Sequence, residues 1–114
     1  MKLAGRRVLL VEDEPIIGFA LEDMLQSVGA CARLACSLDE GLRCVDECTW
    51  DAAILDVNLH GRQSFPLARA LLAAQVPVVF ATGNSLQSWP QDLAAVPTIS
   101  KPYDLAAIRR AFEG

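Results

Sequence analysis

Short continuous apolar runs alternate along this chain with longer stretches of helical period. Val8-Leu9-Leu10-Val11, Ala52-Ala53-Ile54-Leu55 and Val76-Pro77-Val78-Val79-Phe80-Ala81 are the clearest runs. Such runs, bounded by charged or turn residues, read as strands buried on both faces. Ala30 to Ala35 is a weaker strand candidate, and Pro97-Thr98-Ile99-Ser100 a short one. Between them the period changes. Pro15 suits a first helical turn, and Ile17, Ala20, Leu21, Met24, Leu25 and Val28 recur at helical spacing. Gly29 then fits a left-handed cap. Ser37-Leu38-Asp39-Glu40 is a capping box, with Leu38, Leu42 and Val45 as the inner face of its helix. A loop is expected from Asp56 through Gln63. A helix follows, with Pro66 near its start and Ala68, Leu71 and Leu72 facing inward.

The stretch from Asn84 to Val96 makes a poor helix. Pro90 interrupts it, and Asn84, Ser85 and Ser88 compete for its backbone groups. A short or broken helix is expected there. Asp104 caps a last helix with Leu105, Ile108 and Phe112 inside. The reading is five strands alternating with five helical segments. That alternation predicts an α/β fold, a parallel sheet with helices on both faces.

Composition narrows the class. A chain of 114 residues, 53% of them hydrophobic, suits a single domain over residues 1–114 with an ample core and no output domain. No apolar run approaches the roughly 18 residues of a membrane span, and the N-terminus lacks a signal-peptide pattern. A soluble cytoplasmic protein without a membrane partner is expected. Ten basic against 14 acidic residues give a net charge of −4, and no basic stripe suggests nucleic acid. Cys31, Cys36, Cys44 and Cys48 form no Cys-x-x-Cys pair, and a lone histidine completes no zinc set. They read as packing cysteines of a reducing compartment.

The ends of the apolar runs carry the chemistry. The first ends in Glu12 and Asp13, the central one in Asp56, the next in Thr82, and the short last one in Lys101. In a parallel sheet these ends converge on one edge, where ligands of such sheets gather. Carboxylates without histidine or cysteine partners suit a hard cation such as Mg²⁺. A lysine and a hydroxyl opposite it would neutralise phosphoryl oxygens. Asp56, in the middle, is the natural nucleophile for an aspartyl phosphate.

The set Glu12-Asp13, Asp56, Thr82 and Lys101-Pro102 resembles the receiver domain of bacterial two-component response regulators. The resemblance covers nearly the whole chain, in order. It implies a doubly wound five-stranded sheet of flavodoxin-like order 2-1-3-4-5, which the periodicity alone does not give. It implies Asp56 as phosphoacceptor, Asp13 as direct metal ligand, and Glu12 acting through metal-bound water. It further implies the Asn58 carbonyl in the metal shell, and Thr82 and Lys101 on the phosphoryl group. Phe80-Ala81-Thr82-Gly83 is similar to the signature of FATGUY-type stand-alone receivers, which work with HWE or related histidine kinases. Asn84 and Ser85 depart from the rest of that signature. Thr98 stands where receivers usually carry a switch aromatic.

The function expected is a phosphorelay switch. A sensor histidine kinase donates a phosphoryl group to Asp56, the product hydrolyses slowly, and a downstream protein target or phosphotransfer protein reads the change. It is self-phosphorylating and self-dephosphorylating rather than a conventional turnover enzyme. The alternatives are an adaptor or pseudo-receiver, a receiver fragment of a larger protein, and an aspartate-nucleophile phosphohydrolase. The last needs a carboxylate two residues past the nucleophile, where this chain has Asn58. His60 reads as an exposed loop residue. Tyr103 and Trp89 read as partner contacts or ordinary surface packing.

Overall fold

A computed structural model describes residues 2–83 and 90–113. Five parallel strands form the sheet: β1 (Arg7–Val11), β2 (Cys31–Ala35), β3 (Ala52–Asp56), β6 (Val78–Thr82) and β7 (Thr98–Ser100). Their spatial order is β2-β1-β3-β6-β7. Numbered within this sheet alone, that is 2-1-3-4-5, the doubly wound order the resemblance implied. The two remaining strands, β4 (Asn58–Leu59) and β5 (Arg62–Gln63), form a separate antiparallel hairpin. The sequence reading had only a loop there. His60 (φ 52°) and Gly61 (φ 82°) make its two-residue turn. Positive φ at both central positions matches the twist of a tight hairpin, and Gly61 takes such a conformation without steric cost.

Side chains alternate across the pleat, so each apolar strand feeds two cores. Leu9, Val11, Ala53, Leu55, Val78 and Phe80 face α2 (Leu38–Glu47) and α3 (Phe65–Ala73). Val8, Leu10, Ala52, Ile54, Val79 and Ala81 face α1 (Pro15–Gln26) and α4 (Leu105–Glu113). This is why the runs are continuously hydrophobic. No helix among the described residues is long and apolar enough to cross a membrane.

Local signals set the helix ends. Pro15 opens α1, and Gly29 turns the chain at φ +88° beyond it. The Ser37 hydroxyl accepts from the Glu40 amide at 3.1 Å, the forward half of the capping box. The Asp104 carboxylate accepts from the Ala106 amide at 2.9 Å. Some inward faces differ from the periodicity. Ala20 and Leu72 are exposed. In α2 the buried line is Leu38, Gly41 and Cys44, with Leu42 and Val45 packed on its flank. Gly41, uncounted as an apolar position, is what rotates that face. The expected weak helix over 84–96 falls partly outside the described residues. Over its described part, residues 90–96, the chain has one 3₁₀ turn, Gln91–Leu93.

Gly41 also supplies a stability prediction. A methyl group there would meet Leu67 Cδ2 at 2.8 Å and Val11 Cγ2 at 3.3 Å. Alanine gains about 1 kcal/mol in helix preference. Overpacking costs about 1–3 kcal/mol. Leu67 and Val11 are buried and cannot swing toward solvent. Gly41→Ala is therefore expected to lower stability by about 1 kcal/mol in urea unfolding. An unchanged or raised midpoint would show that Leu67 repacks freely.

Candidate functional site

Parallel pairing puts every strand's carboxyl end on one edge, and the order reverses between β1 and β3. Glu12 and Asp13 follow β1, and Asp56 is the last residue of β3. The backbone holds these positions. The Glu12 amide donates to the Ala35 carbonyl at 3.1 Å, and Val57 to Ala81 at 3.2 Å. Lys101, just past β7, donates its amide to the Thr82 carbonyl at 3.1 Å. The polar ends are therefore extensions of the sheet, not loop residues free to wander.

One carboxylate oxygen from each of Glu12, Asp13 and Asp56 lies within 4.8 Å of the other two. Glu12 is fully buried and Asp56 is 6% exposed. The Lys101 ammonium bridges them, donating to Asp56 Oδ2 at 2.9 Å and pairing with Glu12 Oε2 at 3.0 Å. Three carboxylates against one ammonium leave two uncompensated negative charges in a largely buried place. Such a set is costly to bury and fits a hard divalent cation, whose preferred ligands are carboxylate oxygens. Asn58 is exposed at the same edge. Its amide donates to Asp56 Oδ1 at 3.4 Å, and its side-chain oxygen accepts from the Gly61 amide at 3.0 Å. Thr82 lines, with Asp56, Asn58, Gly61, Gln63 and Gly83, a cavity of about 560 Å³. All six residues singled out from the sequence thus meet at one edge.

Electrostatics separate the two aspartates. Burial, with Glu12 alongside, pushes Asp56 up to about 6, against the opposing pull of Lys101. Burial also acts upward on Asp13, but the His60 amide and neighbouring polar groups outweigh it and hold Asp13 below the usual range. Burial acts downward on Lys101, and its bonds to Asp56 and Glu12 reverse the sign, so the ammonium is favoured.

Two residues play parts the sequence did not reveal. The Tyr103 hydroxyl donates to Glu12 Oε2 at 2.7 Å, which ties this half-buried ring to the site. Burial and Glu12 both push its phenol upward. The His60 amide donates to Asp13 Oδ2 at 3.0 Å, and its imidazole stands 3.4 Å from the same oxygen. The ring is exposed, as expected, yet the hairpin it turns straps the site. Trp89 lies outside the described residues. Among the cysteines, Cys44 is buried, Cys31 is exposed, and all four are free thiols. Burial pushes the Cys44 thiol up, which suits packing.

Residues 8–113 match the family model of the response regulator receiver domain. The chain is 32% identical over 113 residues to the transcriptional regulatory protein DltR of Streptococcus agalactiae serotype III (strain NEM316), covering 90% of this chain and 50% of that protein. It spans about half the length of the curated relatives it matches. Among solved structures, it is similar to the BeF3-activated conformation of SdrG from Pseudomonas melonis Fr1. Identity there is 37%, the TM-score 0.79, and coverage 96% of this chain and 95% of that one. The receiver domain of sensor histidine kinase PA1611 from Pseudomonas aeruginosa PAO1, with a magnesium ion coordinated in its active site cleft, is 27% identical. Its TM-score is 0.80, with coverage of 94% of this chain and 93% of that one.

Proposed function

The chain belongs to the response regulator receiver domain family, and from that premise we propose that Asp56 accepts the phosphoryl group. The observation that carries this is its placement. The Asp56 carboxylate ends the central strand, borders the cavity, and lies 2.9 Å from Lys101 beside two further carboxylates. Its pKa of about 6 leaves it ionised, and so nucleophilic, at neutral pH.

In the proposed step an Asp56 oxygen attacks the phosphorus of a phosphohistidine. The O–P bond forms as the P–N bond breaks, and the imidazole leaves with the electron pair and takes up a proton. Lys101 turns to the phosphoryl oxygens, and the Thr82 hydroxyl donates to them from the end of β6. Asp13 is assigned as direct ligand of Mg²⁺, Glu12 as its partner through water, and Asn58 as the donor of a backbone carbonyl. When bound, the cation supplies positive charge against the developing phosphoryl charge. The rest of catalysis is positioning by these side chains. Hydrolysis by water at phosphorus releases inorganic phosphate and restores the carboxylate. The phosphohydrolase alternative is not favoured, because Asn58 offers no acid and its side-chain oxygen is engaged by Gly61.

The phosphoryl source is assigned as a sensor histidine kinase or a phosphotransfer protein, and the compartment as the cytoplasm. The match at Phe80–Gly83 supports the FATGUY-type assignment and an HWE-type kinase. Incubation with acetyl phosphate, followed by intact-mass measurement, tests the reading. One phosphoryl group is expected with Mg²⁺ and none after chelation. Equal labelling in the presence of a chelator would overturn it.

A further inference from the structure

We infer that Tyr103 is a positioning residue whose hydroxyl holds Glu12 in place while Lys101 turns from the carboxylates to a phosphoryl group. This rests on the role proposed for Asp56 and adds to it. Glu12 Oε2 carries two contacts, Lys101 Nζ at 3.0 Å and the Tyr103 hydroxyl at 2.7 Å. The other oxygen, Oε1, accepts from the Glu14 amide at 3.2 Å. Glu12 is fully buried, so each lost partner leaves its carboxylate short of a hydrogen bond that bulk solvent does not replace. Lys101 has one ammonium, shared between Asp56 and Glu12. A phosphoryl group on Asp56 draws that ammonium outward and strips Glu12 Oε2 of its cation. The Tyr103 hydroxyl is then the side-chain donor left on that oxygen. Without it, Glu12 would hold Lys101 back, and the phosphorylated arrangement would be disfavoured relative to the resting one.

The placement of the ring suits this task. Tyr103 sits two residues past Lys101 and packs against the core of α1 and α4. Its ring lies 5.9 Å from the lysine ammonium. Hydroxyl and ammonium therefore come from one short connection, while the ring stays anchored as the ammonium moves. Neither packing nor helix formation requires a hydroxyl there, since phenylalanine fills the same space.

Titration of Mg²⁺-saturated protein with beryllofluoride, followed by ¹⁹F NMR, tests the inference. Tyr103→Phe is expected to weaken beryllofluoride binding by about tenfold or more, the worth of a hydrogen bond to a buried charge. Its Mg²⁺ affinity without beryllofluoride should fall by less, because Lys101 still covers Glu12 in that state. A purely packing role makes Tyr103→Phe silent and Tyr103→Leu damaging, which would overturn the inference. Equal losses for Mg²⁺ alone and for beryllofluoride would also overturn it. Failure of the wild type to bind beryllofluoride would overturn the role of Asp56, and this inference with it. A wild type that binds normally, beside an unaffected Tyr103→Phe, would sink this inference alone.

Discussion

Asp13→Ala is expected to weaken Mg²⁺ binding by about a hundredfold or more, roughly 2.7 kcal/mol. Asp13 is the carboxylate a cation can reach with least competition. Glu12 and Asp56 share the Lys101 ammonium, and Glu12 also carries Tyr103 and the Glu14 amide. Asp13 instead accepts from the His60 amide and stands 14% exposed in its side chain. At an effective dielectric of about 20, one unit charge at 4 Å from another is worth about 4 kcal/mol, and the cation carries two. The loss of a direct anionic ligand therefore outweighs the relief of repulsion that the smaller side chain brings. Glu12→Ala should act in the same direction with a smaller effect, since its oxygens are engaged within the protein. Calorimetric titration decides the matter. Unchanged affinity in Asp13→Ala would remove Asp13 from the metal site, and unchanged affinity in both variants would remove the pair.

Asp56→Asn is expected to stabilise the metal-free fold by about 1–2 kcal/mol at pH 7. Burial raises Asp56 from its ordinary 3.8 to about 6, so the folded state holds this proton more tightly than the unfolded one. The stability this group contributes is complete below its ordinary value and is lost as pH rises through about 6. At neutral pH the ionised side chain is a net cost to folding. Asparagine removes that cost and leaves Lys101 paired with Glu12. Urea unfolding of both proteins in a chelator, from pH 5 to pH 7.5, reads the effect. The difference between variant and wild type should widen as pH rises through 6. A variant less stable than wild type throughout would mean that the Asp56–Lys101 pair outweighs the desolvation of its carboxylate.

These effects depend on residues whose meeting was legible in the sequence for a simple reason. Each polar group stands at the end of an apolar run, and parallel pairing carries such ends to one edge. The strand order was not legible from periodicity. A run such as Val8–Val11 is apolar on both faces and does not announce its neighbours. The hairpin Asn58–Gln63 was missed because two-residue strands show no alternation. Its available signal was His60-Gly61, with glycine at the second turn position. The contact of Tyr103 with Glu12 was not legible because the two lie 91 residues apart in sequence. A tyrosine after Lys-Pro gives no local hint of a buried carboxylate. In the helices, Leu72 looked inward by type, yet it is 38% exposed, while Gly41, with no side chain, lies on the buried face of α2 against Leu67 and Val11.

The central claim is the identity of the phosphoacceptor, and locating the phosphoryl group tests it most directly. Protein treated with acetyl phosphate and Mg²⁺ is reduced with borohydride, which converts an aspartyl phosphate to homoserine, and is then digested and sequenced by tandem mass spectrometry. Homoserine at position 56, absent from the Asp56→Asn variant, is the predicted result. Homoserine at position 13, or at any other aspartate with Asp56 intact, would contradict the account.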